Sequence, residues 1–302
     1  MNILITGGSG FIGRALVNSL LKDGHKVTVL SRTPDTANKI IGDEVEILSS
    51  LDKLPIEHSF QVIINLAGAP IFDSPWSAAR KQVIRDSRIK LTEQLITYIN
   101  GATIKPDLLI SGSAIGYYGN QGNNVITECS TPTHNDFSQR LCADWENTAE
   151  QAKKLGIRVC LIRTGLVLAH DGGILQRMMS PFNLGLGGIL GNGQQWMSWI
   201  HRADWISIAK LMISNTTMEG AYNATTPHPV TNSEFTKTLA KHLKRPALLP
   251  IPAWLLKILL GERSELILGS QRILPERLLT EGFHFQYPEL LDALTEISSN
   301  HE

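Results

Sequence analysis

Short apolar runs recur through the first half of the chain, each closed by turn residues and followed by apolar positions at helical spacing. The first is Ile3-Leu4-Ile5, which stops at Thr6-Gly7-Gly8. From Phe11 the period changes, and Ile12, Ala15, Leu16, Ser19 and Leu20 fall on one helix face. Runs without polar alternation are the pattern of strands buried on both faces. The same reading predicts strands at 26–30, 45–48, 62–66, 108–111 and 159–162, with helices over 77–100 and 135–154. Six strands with crossovers predict an α/β fold, a doubly wound parallel sheet with a smaller C-terminal lobe. Past Leu168 the texture changes, and Asp171-Gly172-Gly173 with glycines 185, 187, 188, 191 and 193 reads as a flap leading through 196–204 to an edge strand. Helices are expected at 205–214, 230–243 and 251–260, with a strand at 221–224.

Gly7, Gly10 and Gly13 lie three apart between the first strand and the first helix, with Phe11 and Ile12 among them. In a strand-turn-helix unit, glycines permit the turn, let backbone approach a pyrophosphate and let the helix sit close to the strand. The helix N-terminus then faces the phosphates with unpaired N–H groups and its positive dipole end. The expected ligand is a dinucleotide. Which one is decided at the end of the second strand, where a carboxylate selects a ribose 2′-hydroxyl and a cation a 2′-phosphate. Ser31-Arg32 stands there with no carboxylate before Asp35, so the expectation is NADP; the plainer alternative for Arg32 is a solvated strand-end charge. Ser50 and Leu51 are expected near the adenine, and Asn65, Ala67 and Gly68 where the fourth strand meets the ribose and phosphate.

Chemistry is expected after the fifth strand, in Gly112 to Gly119, where Ser113 and Tyr117 could each donate to a developing alkoxide. Arg163, ending the sixth strand, joins the expected cofactor contacts. Arg85 and Arg88 sit three apart in a basic helix, so either can face an anionic ligand, although most of those charges suit a solvated face. His201 invites an acid–base role, with a satisfied structural histidine as the plainer reading.

At 302 residues, with 28 basic and 28 acidic side chains, the chain presents no bulk charge to attract nucleic acid or a membrane surface. No apolar run reaches membrane-span length, and a core strand at the N-terminus leaves no room for a signal peptide, so the expected location is cytoplasmic. The three cysteines, Cys129, Cys142 and Cys160, form no CxxC pair, and neither a disulfide framework nor a metal site is expected. The expected partner is a small-molecule substrate, with homo-oligomerisation left open.

Taken together, GGSGFIG, NLAG, SGSAIGYYG, RTGLVL, PFNLGLGG, WIHRAD and GFHFQYPEL resemble the epimerase-like group of atypical extended short-chain dehydrogenases/reductases. Some members of that group carry a cell-division-inhibitor label. The resemblance spans essentially the whole chain. It implies an NADP-binding Rossmann lobe over 1–168, completed by about 205–225, and a smaller substrate lobe over 169–302. It also implies a departure, because typical extended members carry Tyr-x-x-x-Lys on the helix after the serine loop. Here those positions fall near Ser138 and Cys142, and Arg140 is offset in register. Ser113 matches the serine position, and Tyr117 lies nearest the tyrosine of the serine-loop pattern. Two classes of function follow: an NADP-dependent oxidoreductase or epimerase acting on a small carbonyl or sugar-like compound, or a catalytically weak NADP(H)-binding regulatory protein.

Overall fold

A computed structural model describes residues 1–53 and 59–299. Its centre is a seven-stranded parallel sheet. In chain order the strands of the first half are β1 (Asn2–Thr6), β2 (Lys26–Leu30), β3 (Glu46–Leu48), β4 (Val62–Asn65), β5 (Leu108–Ala114) and the short β6 (Val125–Ile126). They are followed by β7 (Arg158–Thr164), β8 (Leu166–Ala169), β9 (Trp196–Met197), β10 (Trp199–His201) and β11 (Gly220–Ala224). The sheet runs β11-β7-β5-β4-β1-β2-β3, so the order reverses at β1 and all seven carboxyl ends share one edge. Ile3, Leu4 and Ile5 are fully buried, as are Ile63 and Ile64 beside them. Each such side chain stabilises the fold by about 1.5–3 kcal/mol relative to exposure.

Helices cover both faces. On one, α1 (Gly13–Lys22) packs Leu16, Val17 and Leu20 beside Trp205, Ile208 and Met212 of α7 (Arg202–Ser214). On the other, α4 (Ile89–Gly101) and α5 (Phe137–Ala149) bring Leu95, Ile99 and Ala149 onto Leu4, Ile63 and Leu109. A separate apolar cluster lies in the C-terminal half, where α6 (Gly173–Asn183) and α8 (Asn232–Leu243) meet β8, β10 and the helix Leu290–Ser299. Between these, α2 (Pro34–Ile41) and α3 (Ala78–Asp86) complete the helices that matter here.

Four elements differ from the sequence expectation. The helix expected over 77–100 is two, because Ser87 turns its hydroxyl onto the Ile84 carbonyl and accepts from the Ala69 N–H, breaking the helix before Arg88. The helix expected over 135–154 is α-helical only to Ala149 and continues as 3₁₀ turns to Leu155. The glycine-rich flap contains a helix, α6, which is held by Leu175 and Phe182 in the C-terminal core. Residues 196–201 form β9 and β10, which pair with Val230–Thr231 and β8 in two small sheets instead of edging the main one. Two strands also run longer than their apolar cores. β5 and β7 stay paired through Ser113↔Arg163 and Ala114↔Thr164, which carries polar side chains into the sheet at its carboxyl edge.

Candidate functional site

The turn after β1 is built so that side chains are excluded. Gly7 has φ +73°, and a Cβ there would meet Ala67 N and the Leu66 carbonyl carbon at 2.8 Å; one on Gly13 would lie 2.1 Å from the Gly7 oxygen. The Gly10 N–H donates to Gly7 O at 2.9 Å, and α1 follows Ile12 at its N-cap, with no side-chain cap and no acidic residue in its first turn. The Arg14 N–H is taken by Gly10 O at 3.0 Å, so the amides left for an anion are those of Gly13 and Ala15, with the dipole behind them. Asp171 clasps this turn from the loop after β8, pairing with Arg14 at 2.6 Å and Arg202 at 2.5 Å, while Phe11 packs on Gly172 and Gly173. Burial opposes the Asp171 charge, yet Arg202 and Arg14 outweigh it and hold the carboxyl below its usual range.

Ser31 and Arg32 leave the end of β2 at the same edge. Ser31 is tied to β3 by its N–H on Leu48 O at 2.8 Å, and Arg32 is exposed with no ion pair to any described residue. Ser50 bonds Asp52 at 3.0 Å, and Leu51 packs into the core behind it.

At the end of β4, Asn65 is only 1% exposed. Its amide accepts from Thr6 Oγ1 and donates to Thr92 Oγ1, both at 2.8 Å, and Trp145 Nε1 donates to the same Thr92 hydroxyl at 3.1 Å. The side chain expected at the cofactor is thus a strut between β1, β4 and α4, which leaves backbone as what this strand end presents. Ala67 is held by its N–H on Thr6 Oγ1 at 3.1 Å. Gly68 lies under the Arg88 guanidinium, since a Cβ there would stand 2.7 Å from Arg88 Cζ.

The serine region departs furthest from expectation. Ser113 is 5% exposed, and its hydroxyl donates at 2.6 Å to Glu146 Oε1 of α5, so its proton points away from the cleft. Glu146 is locked in turn by a bidentate pair with Arg163, Nε at 2.9 Å and Nη2 at 2.8 Å, both side chains under 8% exposed. Arg163 Nη1 donates to Tyr118 Oη at 2.9 Å, and Tyr118 donates to Asn223 at 2.7 Å. Arg163 was expected to touch the cofactor; instead all three of its nitrogens are consumed inside the protein. Burial works against its charge, but the hydrogen bonds and charge of Glu146 raise its pKa above the ordinary arginine value. Tyr118 is pushed up to about 12, chiefly by burial. Tyr117 is half-buried, with the Arg163 guanidinium stacked 3.6 Å from its ring centroid, and its hydroxyl bonds no described residue.

On α5, Ser138 and Cys142 press against Gly116 behind the serine loop. Burial first, and the Glu146 charge second, push the Cys142 thiol up to about 12, so it stays neutral and moves no proton near pH 7. Arg140 turns outward to Asn135, and Arg85 pairs with Asp144 on the outer surface, whereas Arg88 faces inward. His201 is 5% exposed and satisfied at both nitrogens, by Glu296 at 2.8 Å and the Ala203 N–H at 3.2 Å. Burial dominates and lowers its pKa despite Glu296. Among the described residues no cluster could hold a metal ion, and no helix is long and apolar enough to cross a membrane.

Glu146 and the Asp171 clasp were not singled out from sequence, whereas Arg88 was named there with Arg85 as a cation able to face an anionic ligand. Glu146 had one readable signal, standing one turn after Cys142 on the same face of α5.

Residues 3–224 match the NAD dependent epimerase/dehydratase family, and residues 251–297 match a domain of unknown function, DUF1731. The chloroplastic epimerase family protein SDR39U1 homologue of Arabidopsis thaliana is 38% identical over 303 aligned residues, covering 98% of this chain and 86% of that protein. The epimerase family protein YfhF of Bacillus subtilis is 37% identical, with 98% of each chain covered. The crystal structure of human epimerase family protein SDR39U1 (isoform 2) with NADPH superimposes with a TM-score of 0.89 at 32% identity, covering 99% of this chain and all of that one. With the family match spanning the glycine turn, the parallel sheet and the serine strand, and relatives of 37–38% identity aligned over nearly its whole length, the chain belongs to the NAD dependent epimerase/dehydratase family.

Proposed function

We propose that this protein is an NADP(H)-dependent oxidoreductase or epimerase of the extended short-chain dehydrogenase type, acting on a small carbonyl or sugar-like compound. The observation that carries the reading is the cradle formed by Gly7, Gly10 and Gly13 at the uncapped start of α1, with Arg32 free of described partners along the same sheet edge. These residues fit a dinucleotide phosphate: side chains are excluded where backbone must approach, and a cation stands where a 2′-phosphate is read. The human relative crystallised with NADPH supports the choice. In this reading Gly10, Phe11, Ile12 and Gly13 hold the pyrophosphate, Ser31 and Arg32 the 2′-phosphate, Ser50 and Leu51 border the adenine, and Ala67 and Gly68 pass behind the ribose. Residues 1–168 with 205–225 form the cofactor side, and the rest of 169–302 the substrate side.

The bound cofactor supplies or accepts a hydride. Tyr117 is the side chain assigned to the substrate oxygen, as a donor. Ser113 takes the opposite sense from the one its position suggests, because its O–H donates to the Glu146 carboxylate and its lone pairs remain for a substrate hydroxyl. Arg32→Ala removes a charge-assisted pair with about 1.5–3 kcal/mol of binding. Calorimetry is expected to show NADPH affinity falling by roughly one to two decades and NADH affinity hardly changed; equal losses for both refute the assignment.

A second reading is favoured by α5, where Ser138 and the neutral Cys142 offer no proton relay. The protein then binds NADP(H) as a regulatory or sensing module with little turnover. A broad panel of aldehydes, ketones and nucleotide sugars incubated with NADPH separates the two, since oxidation with any panel member favours the enzyme. The three free cysteines suit a reducing compartment such as the cytoplasm.

A further inference from the structure

Arg88 is a half-buried cation at the cofactor edge, and no described carboxylate lies within ion-pair distance of it. It sits at the break between α3 and α4, pointing back under the end of β4. Nη1 donates to the Ile84 carbonyl at 3.0 Å and the Ala69 carbonyl at 3.2 Å. The guanidinium lies flat against Gly68, and its Cζ is 5.3 Å from the Trp145 ring centroid. Its other edge, Nε and Nη2, is the one nearest Gly68 and makes no hydrogen bond with any described residue. Arginine stays protonated in such surroundings. Burial lowers its pKa from the ordinary arginine value, and the nearby Arg80 charge acts in the same direction. A partly desolvated charge whose Nε–Nη2 edge has no protein acceptor gains when oxygens arrive to meet that edge.

Three features direct that edge. Gly68 follows β4 on the carboxyl edge of the sheet, next to the turn that excludes side chains at Gly7 and Gly13. A side chain at residue 68 would displace the guanidinium, so the close approach depends on glycine. The Nε–Nη2 pair is a fork that matches two adjacent oxygens. A vicinal diol fits it, and the ribose next to a nicotinamide is one.

Resting on the reading that the chain holds NADP(H), we infer that Arg88 grips the diol of the nicotinamide ribose and places its charge beside the nicotinamide. A fixed cation there disfavours the oxidised ring, which carries a formal positive charge, and tolerates the neutral reduced ring. The site therefore binds NADPH more tightly than NADP⁺, and Arg88 sets the difference.

The test is calorimetric and needs no substrate. NADPH, NADP⁺ and 2′,5′-ADP, which lacks the nicotinamide ribose, are titrated into wild type, Arg88→Gln and Arg88→Lys. Arg88→Gln is expected to weaken NADPH and to lower the Kd ratio of NADP⁺ to NADPH by about tenfold, the scale of one partly screened charge at close range. Its 2′,5′-ADP affinity is expected to match wild type. Arg88→Lys keeps the charge and loses the fork, so the ratio persists while both dinucleotides weaken. An unchanged ratio in Arg88→Gln overturns the inference, and so does an equal loss of 2′,5′-ADP, which makes Arg88 a support of the fold. If wild type binds NADPH and 2′,5′-ADP yet shows no preference for NADPH, only this inference falls. If it binds neither, the cofactor assignment itself falls and takes this one with it.

Discussion

Replacing Glu146 by glutamine tests whether the network behind the serine strand is a structural unit. Its carboxylate accepts from Ser113 Oγ at 2.6 Å and from Arg163 Nε and Nη2 at 2.9 and 2.8 Å. The two ionic side chains are 6% and 7% exposed, so solvent screens the pair little. Glutamine keeps an acceptor oxygen but leaves the Arg163 guanidinium buried with no counter-charge, and breaking such a pair costs about 3–5 kcal/mol. At about 2–4 °C per kcal/mol, the scale for chains of comparable size, that is a fall in Tm of roughly 6–20 °C. The assay is thermal unfolding followed by circular dichroism without nucleotide, on Glu146→Gln, Arg163→Met and the pair Glu146→Leu with Arg163→Met. The double change removes both charges, so it is expected to cost less than the sum of the single changes. A Tm within 2 °C of wild type for Glu146→Gln, or strict additivity in the double, refutes the reasoning.

Two further outcomes are expected. Iodoacetamide at pH 8 should alkylate exposed Cys129 in the native protein and spare Cys142 and Cys160, whose thiols burial pushes up to about 12 and about 11; peptide mass mapping reads this, and native labelling of Cys142 contradicts it. His201 has a folded pKa below its unfolded value because burial disfavours the charged ring. The unfolded chain therefore takes up its proton first, and stability is lost as pH falls through about 6.5 towards the folded pKa. His201→Gln should show a shallower drop in urea midpoint between neutral and mildly acidic pH, and an unchanged slope counts against the assignment.

Residue order alone fixes whatever depends on neighbours along the chain. The burial of β1, the glycine turn and the amphipathic face of α1 are each written within a few consecutive residues, because a buried strand needs an unbroken apolar run and a tight turn needs glycine. Ser31 and Arg32 were readable for the same reason, since a strand end is a local feature. The sequence also carried the alternation that makes the sheet parallel.

Tertiary structure decided where the polar side chains point. Ser113 meets Glu146 across 33 residues and Arg163 meets Glu146 across 17, and only the β5–β7 register with α5 crossing above brings the three together. That assembly turned Arg163 from an expected cofactor contact into the partner of a buried carboxylate, and turned the Ser113 proton away from the cleft. The break at Ser87 chose Arg88 over Arg85 as the inward cation, and Asn65 became a strut because Thr6 and Thr92 lie within its reach. The α6 helix was hidden in a glycine-rich stretch and forms where Leu175 and Phe182 find a core to enter. A side chain's type is local, but the hydrogen-bond partner that settles its role is supplied by whichever distant segment the packing sets beside it.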